Sequence, residues 1–343
     1  MLLNLTELSS EPLHEQISRQ VAEKITMDEL AAGSVLLPAN TLAREQRVSV
    51  NTVKRAYDQL EKHGFVEAKP ESGYYISELT TEEKQNLARR KMLNNELLFN
   101  ELNMARKIQK DLLPKVLPDN EKIQMAAYWQ PCHFVGGDFY DYIQLDDRRF
   151  GLVIADACGK GLPAAMLSSQ IQAMLKSELN NGNGIHTTLQ NMNRQLVDAI
   201  SKDKFATLFF GVFDSAVNEF EYATAGHNYP ILMTKEGNFQ CLQTGGPALG
   251  LHSGSTFRTD KIRLNPGDFI FFYTDGVTET MNAQRQEYGE RLLLNVLSNS
   301  RALGPQDILD AVLVDLDKFQ HEQSSNDDRT MMVLKVTNQL KLT

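Results

Sequence analysis

Hydrophobic and polar positions divide the chain into three parts. Residues 1–77 contain helical segments and end in a hairpin-like stretch, whereas residues 78–114 are charged and lack glycine and proline until Pro114. Residues 115–343 alternate strand-like and helix-like runs, a pattern typical of helices packed on antiparallel sheets. We therefore predict a multidomain protein with an N-terminal α/β module, a helical linker and a C-terminal α+β domain.

The clearest periodicities lie in the C-terminal part. Residues 161–179 and 305–319 repeat apolar positions at helical spacing, which predicts two helices. The segments 206–213, 220–225 and 330–336 are rich in β-branched and aromatic residues, which predicts strands.

The N-terminal module has the pattern of a winged helix-turn-helix. Residues 41–46 and 50–62 form two predicted helices around a tight turn, and Ser49 is a suitable N-cap for the second helix. A hairpin-like stretch follows, with Pro70 and Gly73 marking its turn. The apolar face that the two helices would share comprises Leu42, Val48, Val53, Ala56, Tyr57 and Leu60.

The linker carries an apolar stripe at helical spacing, made of Leu98, Leu102, Ala105, Ile108 and Leu112. A plain solvated connector is one interpretation. The stripe is regular enough to require burial, against a second copy of the chain or against the next domain.

Composition narrows the class of protein. No apolar run approaches the roughly 20 residues that span a bilayer, and no signal peptide is recognisable, so we expect a cytoplasmic protein without a membrane segment. Three scattered cysteines indicate free thiols.

The net charge of −9 argues against nonspecific nucleic-acid binding by the whole molecule. Residues 1–77 contain eight basic and eleven acidic residues, a net charge of −3 that disfavours tight DNA binding.

Four aspartates beside apolar, strand-like runs are the candidate functional residues. They are Asp138 in GGDFYD, Asp156 in VIADACGKG, Asp275 in FIFFYTDG and Asp327 in NDDRT. Each could be a turn or cap residue if taken alone. Gathered in one place, they would repel one another and require a counter-charge, which a hard divalent cation supplies. The pattern therefore indicates metal-assisted hydrolysis.

The ordered set GGDFYD, DACGKG, YTDG and DDRT resembles the SpoIIE/RsbU branch of the PPM-type, metal-dependent serine/threonine phosphatases. The similarity covers residues 108–336 and includes ATAGHNYP, GGPALGL and DGVTE. The resemblance implies a sandwich of antiparallel sheets flanked by helices, and hydrolysis of phosphoserine or phosphothreonine in a protein substrate. Water attacks phosphorus in such enzymes, and no protein nucleophile is needed.

The resemblance also implies roles for individual residues. Two Mn²⁺ or Mg²⁺ ions would be held by the backbone carbonyl of Ala157 and by the side chains of Asp138, Asp156, Asp275 and Asp327. Asp141 and Asp328 are candidates for auxiliary or supporting positions beside these ligands.

Three further residues near the motifs have competing interpretations. Lys160 stands where the family often has histidine, and is either a point charge for phosphate or an exposed loop lysine. His227 is either a general acid or, by preference, a structural histidine. Cys158 is either redox-sensitive or, by preference, a small buried residue.

Residues 12–76, including NTVKRAYDQLEKHGFV, resemble the GntR family of bacterial regulators. The segment LPANT lacks the arginine that the family carries there, and Val50 occupies another position where arginine is frequent. Asn51, Thr52, Lys54 and Arg55 remain as candidate DNA contacts. The module is either a weak or specialised DNA reader or a dimerisation or partner-binding domain.

Together these features predict a phosphatase that is regulated by its N-terminal module and linker. The pattern ELxxAxxIQxxLLP at residues 101–114 resembles the segment that transmits regulation into RsbU-type domains. The substrate would be a phosphorylated signalling protein such as an anti-sigma-factor antagonist, and a homodimer is expected. The alternative is a DNA-binding transcriptional regulator whose C-terminal domain is a metal sensor or pseudophosphatase.

Overall fold

A computed structural model describes residues 3–5, 12–69, 73–321 and 327–337. The chain separates into two compact units, Met1–Asn100 and Glu101–Thr343. The boundary falls inside one long helix, α4 (Thr81–Leu112), which lies within the predicted linker 78–114. The limits 1–77, 78–114 and 115–343 stay a prediction.

The first unit is a winged helix-turn-helix, as predicted. Ser49 caps the second helix of the motif, because its side chain accepts a hydrogen bond at 3.0 Å from the backbone N–H of Thr52. Tyr57 is fully buried and donates a hydrogen bond to the carbonyl of Leu37 at 2.8 Å. Pro70 lies outside the described residues. The elements are α1 (Leu13–Thr26), α2 (Ala39–Gln46), α3 (Val50–Lys62), β1 (Val66–Lys69) and β2 (Gly73–Ile76).

The second unit begins in α4 and continues as two mainly antiparallel sheets with helices. Its helices are α5 (Leu162–Asn180), α6 (Ile185–Ala199), α7 (Asp275–Thr278), α8 (Gly289–Ser300) and α9 (Pro305–Gln320). Its strands are β3 (Ile123–Gln130), β4 (Phe139–Gln144), β5 (Arg149–Ala157), β6 (Ala206–Asp214), β7 (Glu219–Ala225), β8 (Ile231–Met233), β9 (Phe239–Cys241), β10 (Gly245–Gly246), β11 (Asp260–Arg263), β12 (Phe269–Tyr273) and β13 (Arg329–Val336).

The first sheet has the order β10-β7-β6-β5-β4, with β11 on β7, and the second has the order β3-β13-β12-β8-β9. The strand β12 explains why they stack, because its run FIFFY is buried on both faces. Phe272 points between the sheets, where its ring lies 5.8 Å from that of Phe209 on β6. Phe271 points the other way, into the core formed with α8 and α9.

Strand register brings the predicted aspartates to strand ends. Phe139 on β4 pairs with Ala155 on β5, so the residues just beyond this pair, Asp138 and Asp156, lie at the same end of the first sheet. In the second sheet Tyr273 pairs with Met331, which places the turn after β12 beside the segment that precedes β13.

The exposed part of α4 carries most of the predicted apolar stripe. Leu98 is 55% exposed and Ile108 is 64% exposed, so these two positions of the stripe are not buried. Gln109 is buried instead. No helix in the described part of the chain is both long enough and apolar enough to span a membrane.

Candidate metal centre

Asp138 is the most buried of the four predicted aspartate ligands. It follows Gly137 and directly precedes β4, and it is 1% exposed. Its carboxylate accepts a hydrogen bond from the hydroxyl of Thr274 at 2.7 Å. Thr274 in turn accepts a hydrogen bond from the backbone N–H of Thr330 at 3.1 Å. Asp138 at the edge of the first sheet is therefore held by residues at the ends of β12 and β13 in the second.

The other predicted aspartates lie around Asp138 on different elements. Asp156 is the penultimate residue of β5, Asp275 begins α7, and Asp327 precedes β13. All three are half-buried. The ammonium group of Lys160 lies 2.8 Å from the Asp327 carboxylate, so this lysine is paired with a predicted ligand.

Mutual repulsion and burial perturb these carboxyl groups. Burial, with added repulsion from Asp275 and Asp327, raises the pKa of Asp156 to about 7. Burial and the charge of Asp327 raise the pKa of Asp275 to about 6. Burial and the charges of Asp156 and Asp328 raise the pKa of Asp138 well above its ordinary value. The negative charge of these carboxylates exceeds the positive charge of the side chains around them. A bound divalent cation would reduce their mutual repulsion.

The backbone around Gly137 leaves no room for a side chain. A Cβ at this position would collide with the carbonyl oxygen of Ala157 and would lie 3.1 Å from the Asp156 carboxylate. The amide of Ala157 also donates a hydrogen bond to the carbonyl of Gly137 at 3.3 Å. This close approach sets the Ala157 carbonyl beside the acidic residues, where it can serve as an oxygen ligand.

Asp328 supports the same loop from the other side. Its carboxylate accepts hydrogen bonds from the backbone N–H groups of Gly137 at 2.7 Å, Cys132 at 2.8 Å and Asp138 at 3.4 Å. Occupied in this way, Asp328 holds the loop that carries Asp138. This arrangement matches a supporting position rather than that of a direct ligand.

Cys132 was not predicted to lie here. Its sulfur and one oxygen each of Asp327 and Asp328 lie within 4.8 Å of one another. Burial and the nearby Asp328 charge raise the pKa of Cys132 to about 12, so its thiol stays protonated at neutral pH. In the described residues this is the one group of three His, Cys, Asp or Glu ligand atoms that meet so closely. Asp327 is the one predicted aspartate ligand in this group.

The residues present fit hard divalent cations. The predicted donors are carboxylate oxygens and one carbonyl oxygen, the set that Mg²⁺ and Mn²⁺ prefer. Their raised pKa values indicate that charge balance is incomplete without a cation.

Asp141, the other candidate for an auxiliary position, is engaged elsewhere. Its carboxylate lies 2.7 Å from the ammonium group of Lys176 and accepts a hydrogen bond from Gln172 at 2.8 Å. Both partners are on α5, so Asp141 joins that helix to β4. In this structure the side chain is paired with the helix, and the auxiliary or supporting role of Asp141 stays a prediction.

His227 has the features of a structural histidine. It is 3% exposed, and its ring nitrogen Nδ1 lies 2.8 Å from the hydroxyl of Thr207. Burial lowers the pKa of His227 to about 3, so the ring is neutral at physiological pH. Cys158 is half-buried, and its sulfur accepts a hydrogen bond from the amide of Phe205 at 3.3 Å.

The candidate DNA contacts lie on the first two turns of α3. Asn51, Lys54 and Arg55 are exposed. Thr52 is half-buried, and its hydroxyl lies 2.8 Å from that of Ser49 in the helix cap, which leaves it less available for a ligand.

Besides Cys132, sequence reasoning missed two residues at or beside the centre, Thr274 and Gln109. Thr274 precedes Asp275 in the YTDG motif, a position that could have drawn attention to it. Gln109 stands in the ELxxAxxIQxxLLP pattern, yet neither its burial nor its contacts can be inferred from spacing.

Comparison with known proteins agrees with both sequence resemblances. The family described as Stage II sporulation protein E (SpoIIE) matches residues 146–337, and the family described as bacterial regulatory proteins, gntR family, matches residues 13–76. The chain is 32% identical to protein IcfG of Synechocystis sp. over 261 residues, which cover 68% of this chain. It is 29% identical over 239 residues to the phosphoserine phosphatase RsbU of Bacillus subtilis, again over 68% of this chain.

A solved structure supports the fold of the second unit. The RsbU and RsbW domains of Rv1364c from Mycobacterium tuberculosis match with a TM-score of 0.57 at 28% identity, over 64% of this chain and 61% of that one. The matches span 41% of the length of IcfG and 70% of the length of RsbU. The common part is the domain that contains the acidic site.

Proposed function

The chain belongs to the SpoIIE family and carries an N-terminal domain of the GntR family, and we propose that it is a metal-dependent protein serine/threonine phosphatase. The observation that carries the proposal is the gathering of buried carboxyl groups from both sheets. Burial and the charge of Asp156 raise the pKa of Asp138, and burial with the charges of Asp275 and Asp327 raises the pKa of Asp156. Such a surplus of buried negative charge is expected where cations bind.

Two Mn²⁺ or Mg²⁺ ions are the proposed cofactors. Their ligands would be the Ala157 carbonyl and the carboxylates of Asp138, Asp156, Asp275 and Asp327. Divalent ions held in this way acidify water and balance the charge of phosphoryl oxygens.

The side chains around these ligands have distinct tasks in the proposed reaction. Thr274 orients Asp138 through its hydroxyl, and Asp328 fixes the loop backbone. Lys160, whose side chain is 46% exposed and lies beside Asp327, is the candidate to contact the phosphoryl group of the substrate as a point charge.

Direct attack by water fits the local side chains better than a covalent phosphoenzyme. The Cys132 thiol is held in its protonated form by its raised pKa, so it is a poor nucleophile. His227 is neutral and buried, so it lacks the imidazolium proton that a general acid would give to the leaving group.

The proposed substrate is a phosphoserine or phosphothreonine residue in a cytoplasmic signalling protein, such as an anti-sigma-factor antagonist. Support comes from the likeness to RsbU, which is named a phosphoserine phosphatase. The alternative, a DNA-binding regulator with a metal-sensing domain, is less favoured because the aspartate positions implied by the phosphatase resemblance are all present.

The winged helix and α4 are the proposed regulatory parts. Met104 and Ile108 are 60% and 64% exposed and four residues apart, so they form an apolar face suited to a second copy of α4 in a homodimer. DNA binding through Asn51, Thr52, Lys54 and Arg55 is a further proposal, opposed by the net charge of −3 in residues 1–77. Titration of labelled DNA with wild type and with Lys54→Ala/Arg55→Ala at several salt concentrations tests it.

The decisive experiment is hydrolysis of p-nitrophenyl phosphate and of a phosphoserine peptide by the full chain with Mn²⁺. EDTA and the Asp156→Asn variant are the controls. Turnover that needs Mn²⁺ and disappears in the variant supports the phosphatase. Tight Mn²⁺ binding without turnover of either substrate would instead favour the metal-sensing alternative.

A further inference from the structure

Gln109 is the buried polar residue of an otherwise exposed helical segment. From Leu97 to Leu112 the side chains of α4 are exposed or half-buried, except that of Gln109, which is 6% exposed. A long polar side chain loses rotamer freedom and hydration on burial, so such a site needs specific hydrogen bonds.

The carboxamide of Gln109 pairs with both backbone groups of one glycine. Its Nε2 donates a hydrogen bond to the carbonyl of Gly136 at 2.7 Å, and its Oε1 accepts one from the amide of Gly136 at 3.1 Å. Its Nε2 also lies 3.4 Å from the hydroxyl of Ser168 on α5. The side chain thus replaces the partners that a neighbouring strand would give to Gly136.

Gly136 lies two residues before Asp138, in the loop that joins β3 to β4. On its other side this loop meets Asp328, since a Cβ at Gly136 would collide with that carboxylate. The next amide in the loop, that of Gly137, is the one bound to Asp328 at 2.7 Å. The loop backbone is therefore fixed between Gln109 on one side and Asp328 on the other.

A second contact ties the end of the same helix to α5. Gln172 donates a hydrogen bond to the carbonyl of Leu112 at 3.1 Å, and another to Asp141 at 2.8 Å. Through Gln172, the end of α4 is therefore linked to both α5 and β4.

We propose that Gln109 is a positioning residue that sets the affinity of the metal centre by holding Gly136 and, through it, Asp138. The inference rests on the metal centre of the proposed function, but not on the identity of the substrate. Because supporting groups commonly change metal affinity by roughly 10–100-fold, loss of the Gln109 hydrogen bonds should weaken Mn²⁺ binding by about that factor.

The test is the full chain with Gln109→Met, which keeps the length of the side chain and removes both hydrogen bonds. Lys110→Ala, at the adjacent exposed position, is the matched control. Isothermal titration with Mn²⁺ should show a dissociation constant raised about tenfold or more in Gln109→Met and unchanged in Lys110→Ala. At saturating Mn²⁺ the kcat for p-nitrophenyl phosphate should return to within a few-fold of wild type.

A purely structural role would give a different result. In that case the melting temperature of Gln109→Met falls in EDTA while the Mn²⁺ dissociation constant of the folded fraction stays at the wild-type value, and this outcome overturns the proposal. If the wild type binds Mn²⁺ but hydrolyses neither p-nitrophenyl phosphate nor the phosphoserine peptide, only the proposed phosphatase activity is refuted. Weaker Mn²⁺ binding in Gln109→Met would still support the role of Gln109.

Hydrogen exchange on the wild type provides a second test if Gln109→Met does not fold. Coupling between two sites is reciprocal, so Mn²⁺ should slow amide exchange in the peptide that covers residues 105–113. Unchanged exchange there, with Mn²⁺ bound, contradicts the proposal, as does a wild-type protein that binds no Mn²⁺.

Discussion

The backbone amide of Gly137 donates a hydrogen bond at 2.7 Å to the carboxylate of Asp328, which lies 191 residues further along the chain. One partner belongs to the loop before β4 in the first sheet, and the other to the segment before β13 in the second. This contact, with that between Thr274 and Asp138, joins the edges of the two sheets where the acidic residues collect.

Asp328→Asn should weaken Mn²⁺ binding by roughly 10–100-fold, the usual range for groups that support metal ligands. The amide keeps the shape of the carboxylate, but its NH₂ group cannot accept hydrogen bonds from the loop. Isothermal titration measures the effect. Asp147→Asn, at an exposed position, is the control. Equal Mn²⁺ affinity in Asp328→Asn and wild type would show that the loop does not depend on this carboxylate.

Asp156→Asn should abolish phosphatase activity without unfolding the protein. Removing the charge relieves repulsion with Asp275 and Asp327, so the variant in EDTA at pH 8 should melt at or above the wild-type temperature. Each kcal/mol of relieved repulsion corresponds to about 2–4 °C for a domain of this size. Circular dichroism and the p-nitrophenyl phosphate assay provide the two readouts. Wild-type turnover in this variant would remove Asp156 from the proposed ligands.

The metal-free protein should become less stable as pH rises through the range in which Asp156 ionises. Burial and neighbouring carboxylates raise its pKa from 3.8 to about 7, so between these values the folded state retains a proton that the unfolded chain releases. Stability therefore falls with increasing pH across this window. Thermal melting in EDTA from pH 5 to 8 should show the decline, with a smaller slope in Asp156→Asn. Identical slopes for the two proteins would contradict the assignment.

The stabilisation that Mn²⁺ gives the protein should have the opposite pH dependence and increase as pH rises. Carboxylates must lose their protons before they bind a cation, and burial and neighbouring charge also raise the pKa of Asp275, to about 6. The rise in melting temperature caused by a fixed Mn²⁺ concentration should thus be larger at pH 7.5 than at pH 5.5. An equal rise at both pH values would indicate that Mn²⁺ binds elsewhere.

Lys160→Met should affect substrate and metal binding in opposite directions. Its ammonium group lies 2.8 Å from the Asp327 carboxylate, so removing it should strengthen Mn²⁺ binding by a factor of up to about 5, the effect of an exposed ion pair. The KM for p-nitrophenyl phosphate should rise several-fold if the lysine contacts phosphate. Steady-state kinetics and calorimetry measure the pair of effects, with Lys202→Met as the exposed control. No change in either quantity would leave Lys160 as an ordinary loop lysine.

Met104→Glu combined with Ile108→Glu should convert a homodimer into a monomer. Both residues are more than half exposed on the same face of α4, and burying two charges against a second copy is unfavourable. Light scattering after size-exclusion chromatography gives the mass directly. Asn103→Glu introduces charge at an exposed position on another side of the helix and serves as control. Dimers that persist in the double variant would place the dimer contact elsewhere.

Much of the fold could be predicted because its signals are local. The Ser49 cap and the helix α3 follow from residues within one turn of each other. The apolar run of β12 predicts a doubly buried strand without knowledge of its neighbours. The helices α5 and α9 begin and end within one residue of the predicted limits, because periodic apolar positions and flanking Gly161 and Pro305 mark them.

The site was only partly predictable. Asp138 and Asp141 occur in one motif, GGDFYD, yet the first lies in the acidic site and the second pairs with Lys176 on α5. Residues separated by an odd number of positions in a strand point to opposite faces. A sequence motif identifies the aspartates, but only the packing of helices against the sheet determines which carboxylate is available to bind a cation.

By itself the sequence determined the kinds of elements, their order and the aspartates at strand ends, because side-chain periodicity and capping act between near neighbours. Only the tertiary structure decided that Gln109 rather than Ile108 is the buried residue of its helical turn, and that Asp328 binds the amide of Gly137. Those contacts depend on how two sheets and α4 pack together, and a hydrogen bond across such distances in sequence forms only where the whole fold brings donor and acceptor within about 3 Å.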